Sequence, residues 1–261
     1  KRENQKEIEF LKSKLNELTA QFVRPLSTTE VKSSNLNANS PSTHLTETES
    51  VNPLEGLTIS EIKAKILREN LTQITIPSSV ASIGENAFSN FTSLTQITIP
   101  SSVSSIEGFA FYECRSLTEI TIPSSVTSIG NYAFHGCISL THVEIPSSVT
   151  SIGDKAFSNC SSLTEITIPS SVTSIEARSF IGCSSLTEIT IPSSVTSIKN
   201  GAFYDCNSLT HITIPSSVTS IGNYAFFNCS SLKQITIPSS VKSIENGAFY
   251  DCSSLTQITI P

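Results

Sequence analysis

The sequence predicts a repeat solenoid: a parallel β-sheet on the concave face, short strand or 3₁₀/helical turns opposite, and an N-terminal helix and linker in front. Three observations carry this. A proline stands at Pro77 and every 23 residues on to Pro261, and a leucine at Leu71 and every 23 residues on to Leu255. That makes eight full repeats and the start of a ninth. Within each period the apolar positions first alternate and then recur at spacings of three and four, as at Leu117, Ile120, Ile122, Val126, Ile129, Ala133, Phe134 and Cys137. A fixed period of about 20–50 residues marks units that cannot bury their apolar face alone, so each must stack on its neighbours.

In chain order, residues 1–23 come first. Ile8, Leu11, Leu15, Leu18 and Phe22 alternate at spacings of three and four, a heptad seam that predicts an amphipathic helix. Three outcomes stay open for this seam: a short coiled coil through residues 8–22, giving a homo-oligomer, packing on another part of the chain, or fraying in solution. Residues 24–57 are rich in Ser, Thr and Asn, contain Pro25, Pro41 and Pro53, and read as a flexible linker. Thr58 followed by Glu61 forms a capping-box pattern, which predicts a helix within 58–70. Ile59, Ile62, Ile66 and Leu67 give it an apolar face suited to covering the end of the solenoid core. The solenoid itself is assigned to residues 71–261.

Within one repeat, LTEITIP sets Leu117, Ile120 and Ile122 inward and Glu119 and Thr121 outward, a short strand stopped at Pro123, which has no N–H for a ladder. Successive copies should pair in register, about 4.8 Å apart. Val126 and Ile129 then predict a second short strand or an extended corner. Ala133, Phe134 and Cys137 have helix-like spacing and predict a helical or 3₁₀ turn on the opposite side. The glycine column, Gly84, Gly130, Gly153 and Gly222, is taken by Glu107, Glu176, Lys199 and Glu245 in other repeats, so it should not require left-handed backbone.

The run Cys137 to Phe157, Cys-x-Ser-Leu-x-x-Ile-x-Ile-Pro-x-x-Val-x-x-Ile-Gly-x-x-Ala-Phe with Val143 in the first Ile place, resembles the 23-residue leucine-rich repeat of BspA-like surface antigens. The resemblance covers residues 71–261, with Phe91 in the place of the first cysteine and Ser179 in that of an alanine. It implies a right-handed solenoid on a cell surface, extracellular in setting, used for adhesion or for binding a host or extracellular protein. It implies no enzyme and no cofactor.

Charge narrows the partners. The net charge is −6, and all of it lies in the solenoid, because the basic and acidic residues before Leu71 balance. A phosphate backbone requires a basic patch, so nucleic acid is not an expected partner. No apolar run spans a bilayer, so direct membrane insertion of this segment is not expected either. The chain lacks methionine and stops partway through a repeat, and is therefore read as a fragment.

The seven cysteines, Cys114 to Cys252, form one column at the repeat spacing. An odd number on a line spaced like the strands suits neither disulfides nor a tetrahedral metal site, and reads as buried thiols. Those thiols favour a reducing compartment, which keeps a cytoplasmic location open. Outward strand positions supply Glu119, His142, Glu144, Glu165, Glu188 and His211 to a candidate binding face. Only the group around His142 has metal or acid/base character, and solvated surface is the commoner role for such a group. Positions free to differ between repeats place Phe109, Tyr112, Tyr132, His135, Ile181, Tyr204, Tyr224, Phe227 and Tyr250 along one flank. These are either interface anchors or part of the packing between turns. No catalytic motif appears.

Overall fold

The computed structural model describes residues 52–260. The predicted helix over 1–23, its self-association through 8–22 and most of the linker lie outside the described residues.

Each repeat folds as one turn of a parallel-strand solenoid. Three-residue strands run from Gln73–Thr75 to Gln257–Thr259, one per turn, with the central residue buried in all but the last and its two neighbours turned outward. They pair parallel and in register, Gln73 beside Gln96 and Ile97 beside Ile120, seven strands in one sheet up to His211–Thr213 and the last two, Gln234–Thr236 and Gln257–Thr259, in another, so that columns of the sequence become columns in space. Two-residue strands, from Ser105–Ile106 to Ser243–Ile244, pair parallel after the corner in two further sheets, three strands up to Ser151–Ile152 and four from Ser174–Ile175 on. Side chains reinforce the ladders. From Ser102 to Ser240 the second serine of the Pro-Ser-Ser corner donates to a valine carbonyl of the preceding turn, as Ser125 Oγ does to Val103 at 2.6 Å. Threonines just ahead of the strands do the same across turns, as Thr118 Oγ1 does to Thr95 at 3.1 Å and Thr164 Oγ1 to Thr141 at 3.1 Å.

The far side differs from the expected helical turn. Among the described turns no 3₁₀ or α-helix forms there; the stretch is a run of tandem turns. Alternate N–H groups close short turns within the chain, such as Ala133 to Gly130 and Cys137 to Phe134, while those between them reach the following turn, such as Phe134 to Ala156. A helix would keep all these bonds local; sharing them between turns satisfies the backbone and joins the solenoid on its third side. This geometry needs two left-handed residues per turn. They are not in the expected glycine column, whose residues stay out of that region as predicted. They fall instead at Phe109, Tyr132, Lys155, Arg178, Gly201 and Tyr224 and, four residues on, at Glu113, Gly136, Asn159, Gly182, Asp205 and Asn228. Where a glycine stands at these positions, the preceding turn leans over it. A Cβ on Gly247 would lie 2.5 Å from Cε1 of Tyr224, and one on Gly182 would lie 2.3 Å from Oδ1 of Asn159.

The interior is a set of one-residue-wide columns. Eight phenylalanines, Phe88 to Phe249, stack with adjacent centroids 5.2–5.9 Å apart and planes within 13°. Beside them the cysteines are free and buried. Each thiol donates to the phenylalanine carbonyl of the previous turn, as Cys137 Sγ does to Phe111 at 3.2 Å. Burial, with no cation nearby, pushes the Cys114 and Cys183 thiols up to about 12 and raises the others. Phe91, in the cysteine column of the first turn, packs edge-on against Phe88 at 6.2 Å. Ser179 uses its hydroxyl on the Glu176 carbonyl at 2.9 Å.

Helix α1, Ile59–Glu69, caps the N-terminal end of these columns with Ile62 and Ile66 buried. Its capping box is closed: Thr58 N–H donates to Glu61 Oε2 at 2.8 Å, and Glu61 N–H donates to Thr58 Oγ1 at 3.3 Å. Hydrogen bonds from the Thr58 backbone and hydroxyl hold the Glu61 carboxyl below its ordinary value. The end of the expected linker is ordered, which corrects the 24–57 boundary. Leu54 is buried, Asn52 Nδ2 donates to the Thr75 carbonyl at 3.1 Å, and Ser78 Oγ donates to Glu55 at 3.2 Å. Residues 52–57 thus stand in the register of a preceding turn.

Two predictions follow from the columns. Phe157→Ala, which empties the middle of the ring stack, should lower unfolding free energy by about 3–5 kcal/mol in a denaturant titration; a loss below about 1 kcal/mol would contradict the stack. The thiols carry folded pKa values above their unfolded value of about 8.5. Their contribution is therefore complete below that pH and lost as pH climbs toward 12. The denaturation midpoint should fall steadily between pH 9 and 11, and a flat profile would be the contrary result.

Candidate functional site

Because register turns sequence columns into rows, the outward side chains form two separate surfaces. On the sheet face Glu119, His142, Glu144, Glu165, Glu188 and His211 are all exposed. His142 Nδ1 stands 3.1 Å from Glu165 Oε1, with the two side chains 55% and 72% exposed. At such exposure an ion pair contributes little. Here the strand ladder also opens. Strands Glu119–Thr121 and His142–Glu144 pair only at Thr121 and Glu144. The bond that Thr118 N–H makes to Thr95 has no counterpart from Thr141 to Thr118 among the described residues. The opening is a cavity of about 500 Å³ lined by Thr118 to Thr121, Thr141, His142 and Glu144. Among the described residues no three His, Cys, Asp or Glu side chains are placed to hold a metal ion. The structure brings Glu119, His142 and Glu144 together around this opening and places Glu165 next to His142. Glu188 and His211 follow on successive strands, Glu188 beside His211.

The flank carries two aromatic clusters, and its rings do lie over neighbouring turns. In the first, Phe109 stacks on Tyr132 at 4.8 Å and Tyr112 on His135 at 4.8 Å, while Tyr132 meets His135 edge-on at 5.8 Å. In the second, Tyr204 stacks on Phe227 at 4.4 Å, Phe227 on Tyr250 at 5.5 Å, and Tyr224 meets Phe227 edge-on at 5.8 Å. These rings still show surface: Tyr224 is 48% and Tyr250 62% exposed. None of them lines the cavity on the sheet face, so the two surfaces are distinct.

Sequence reasoning missed the charges that serve the first cluster. Lys155 Nζ sits 4.7 Å above the Tyr132 ring centroid and donates to its hydroxyl at 2.6 Å. Arg115 Nε donates to Glu113 Oε2 at 2.6 Å, and Glu113 Oε1 lies 3.7 Å from His135 Nε2. The other His135 nitrogen meets the hydroxyl of buried Ser158. Burial lowers the His135 pKa from its ordinary value; Glu113 opposes that shift, and Lys155 adds to it. The available signal was the repeat itself, since Lys155 follows Tyr132 by one period and Arg115 lies two residues after Glu113.

His142→Ala should change unfolding free energy by less than about 0.5 kcal/mol, as expected of a solvated surface pair. A loss above about 1.5 kcal/mol would show that it helps close the ladder.

The sequence pattern described as BspA type Leucine rich repeat region matches in six copies, over residues 61–187 and 174–261. Comparison with curated proteins gives no match. Among solved structures, a leucine-rich repeat protein from Bacteroides ovatus ATCC 8483 is 31% identical over 74% of this chain, with a TM-score of 0.62. The chain spans 62% of that protein's length. The leucine rich repeat protein of T. pallidum is 32% identical over 62% of this chain and 78% of its own, with a TM-score of 0.60. With the repeat pattern, the strand register and these relatives in agreement, the chain belongs to the BspA-type leucine-rich repeat proteins.

Proposed function

We propose that this chain is a non-enzymatic protein-binding or adhesion module, displayed on a cell surface or outside the cell, that engages a host or extracellular protein through the solenoid surface. One observation carries the reading. The inward columns are almost invariant from turn to turn, whereas chemical variety is concentrated on the sheet face around His142 and on the aromatic flank. A frame that regular leaves its outward side chains free to match a partner. Exposed aromatics are the residue type that anchors protein interfaces. Family membership supports the surface setting.

A second reading, an intracellular scaffold or self-assembling structural repeat protein, is favoured by the seven free thiols. Burial protects them in either compartment, fully from Cys114 to Cys229 and less so at Cys252 in the last turn. Protease treatment of sealed cells separates the two: loss of the solenoid signal fits surface display, and full protection fits the scaffold.

The purified chain should bind saturably to host or neighbouring cells, and protease treatment of those cells should abolish the binding. Changing Tyr204, Tyr224 and Tyr250 together to Ser should weaken it at least tenfold. Unchanged binding would remove the aromatic flank from the interface.

A further inference from the structure

The two aromatic clusters are copies of one constellation. Four turns after Tyr112, Glu113, Tyr132 and His135 come Tyr204, Asp205, Tyr224 and Phe227, so that a tyrosine, a carboxylate, a second tyrosine and a planar ring recur in the same columns. The geometry recurs as well: Tyr112 on His135 at 4.8 Å matches Tyr204 on Phe227 at 4.4 Å, and both edge-on contacts are 5.8 Å. The cations do not recur. In the first copy Lys155 covers the Tyr132 ring and Arg115 pairs with the Glu113 carboxylate. Four turns on, the place of Lys155 is held by Gly247 and that of Arg115 by Asn207.

The second copy therefore keeps the receiving groups without the cations. Tyr224 is 48% exposed, and its ring leans over Gly247, which brings no cation to it as Lys155 does to Tyr132. Asp205 Oδ1 accepts from Asn228 Nδ2 at 2.8 Å, which orients the carboxylate without neutralising it. Among the described residues no Lys, Arg or His is paired with Asp205 or seated over Tyr224. An aromatic face next to an uncompensated carboxylate attracts an ammonium or, better, a planar guanidinium.

We infer that the flank built from Tyr204, Asp205, Tyr224 and Phe227 is the docking edge for a basic, arginine-bearing segment of a partner protein, which supplies in trans the two cations that Lys155 and Arg115 supply within the chain. This rests on the binding-module reading and names the partner chemistry for one of its surfaces. The charge of the solenoid agrees with it, since twelve acidic residues face six basic ones from Leu71 onward.

Calorimetric titration with the blocked peptide Arg-Gly-Arg-Gly-Arg, and with its Glu counterpart as control, tests the inference. The arginine peptide should bind at one site, weaken as salt rises, and lose at least tenfold in affinity in Tyr224→Leu and in Asp205→Asn. Glu165→Gln with Glu188→Gln should leave it unchanged. Should Tyr224→Leu fold poorly, Asp205→Asn keeps an acceptor for Asn228 and is decisive alone. Replacing Lys155 and Arg115 together by Gln should vacate the first copy and raise the stoichiometry toward two. No binding, equal binding of the Glu peptide, undiminished binding in Asp205→Asn, or loss through the sheet-face variants would overturn the inference. If the peptide fails while the chain still binds protease-sensitive sites on cells, the cationic chemistry falls and the binding module stands; if both fail, both fall.

Discussion

Everything in this molecule depends on contact between one turn and the next. A single 23-residue unit has strands of three and two residues and no interior of its own. What makes it fold is that each of its sides, sheet, corner and tandem turns, places backbone donors opposite acceptors one period away, while Leu, Ile, Phe and Cys side chains land on their own kind. Register is decisive here. A slip of one residue would put Thr and Glu inside and Ile outside along the whole sheet. The proline that ends each strand and the serine that bonds across each corner oppose such a slip in every turn.

That dependence divides the residues into two sets. Inward columns answer to the neighbouring turn, so they repeat; outward columns answer to solvent or to a partner, so they differ. The aromatic flank falls between the two. Its rings stack across turns and add to the coupling, yet keep exposed edges and faces, which lets them stiffen the surface they present. A preordered aromatic edge loses less side-chain freedom on docking than a set of independent rings would. The left-handed backbone at Tyr132 and Tyr224 is part of the same arrangement, because it turns these side chains toward the following turn, where Lys155 meets one and Gly247 makes room for the other.

Much of this was legible in the sequence, for a physical reason: periodicity reports burial, and burial fixes the columns. The inward strand residues, the buried thiols, the capping box at Thr58 and the exposure of Glu119, His142 and Glu165 could all be read in that way. Ala133, Phe134 and Cys137 misled because their spacing suits a helix and tandem turns alike; only the destination of the N–H groups, which lies in another repeat, separates the two. Residues 52–57 looked like linker because their composition is polar, while their partners, Thr75 and Ser78, stand one period away. Nor could the pairing of Lys155 with Tyr132 be seen without knowing that side chains in this column lean forward by a turn. The opening between Glu119–Thr121 and His142–Glu144 coincides with Val143 and Glu144, which replace the usual Ile and Thr, but the structure gives no cause for it.

The central claim, that stability resides in contacts between adjacent turns and not in any particular turn, is tested most directly by removing whole internal repeats. Variants lacking residues 163–185, and then 163–208, rejoin identical columns and preserve the register. Such variants should stay folded, with an unchanged far-ultraviolet spectrum per residue and unfolding free energy falling by similar steps for each turn removed. Collapse of the fold on deletion of the first turn alone would contradict the account, because it would show that one repeat holds the others together.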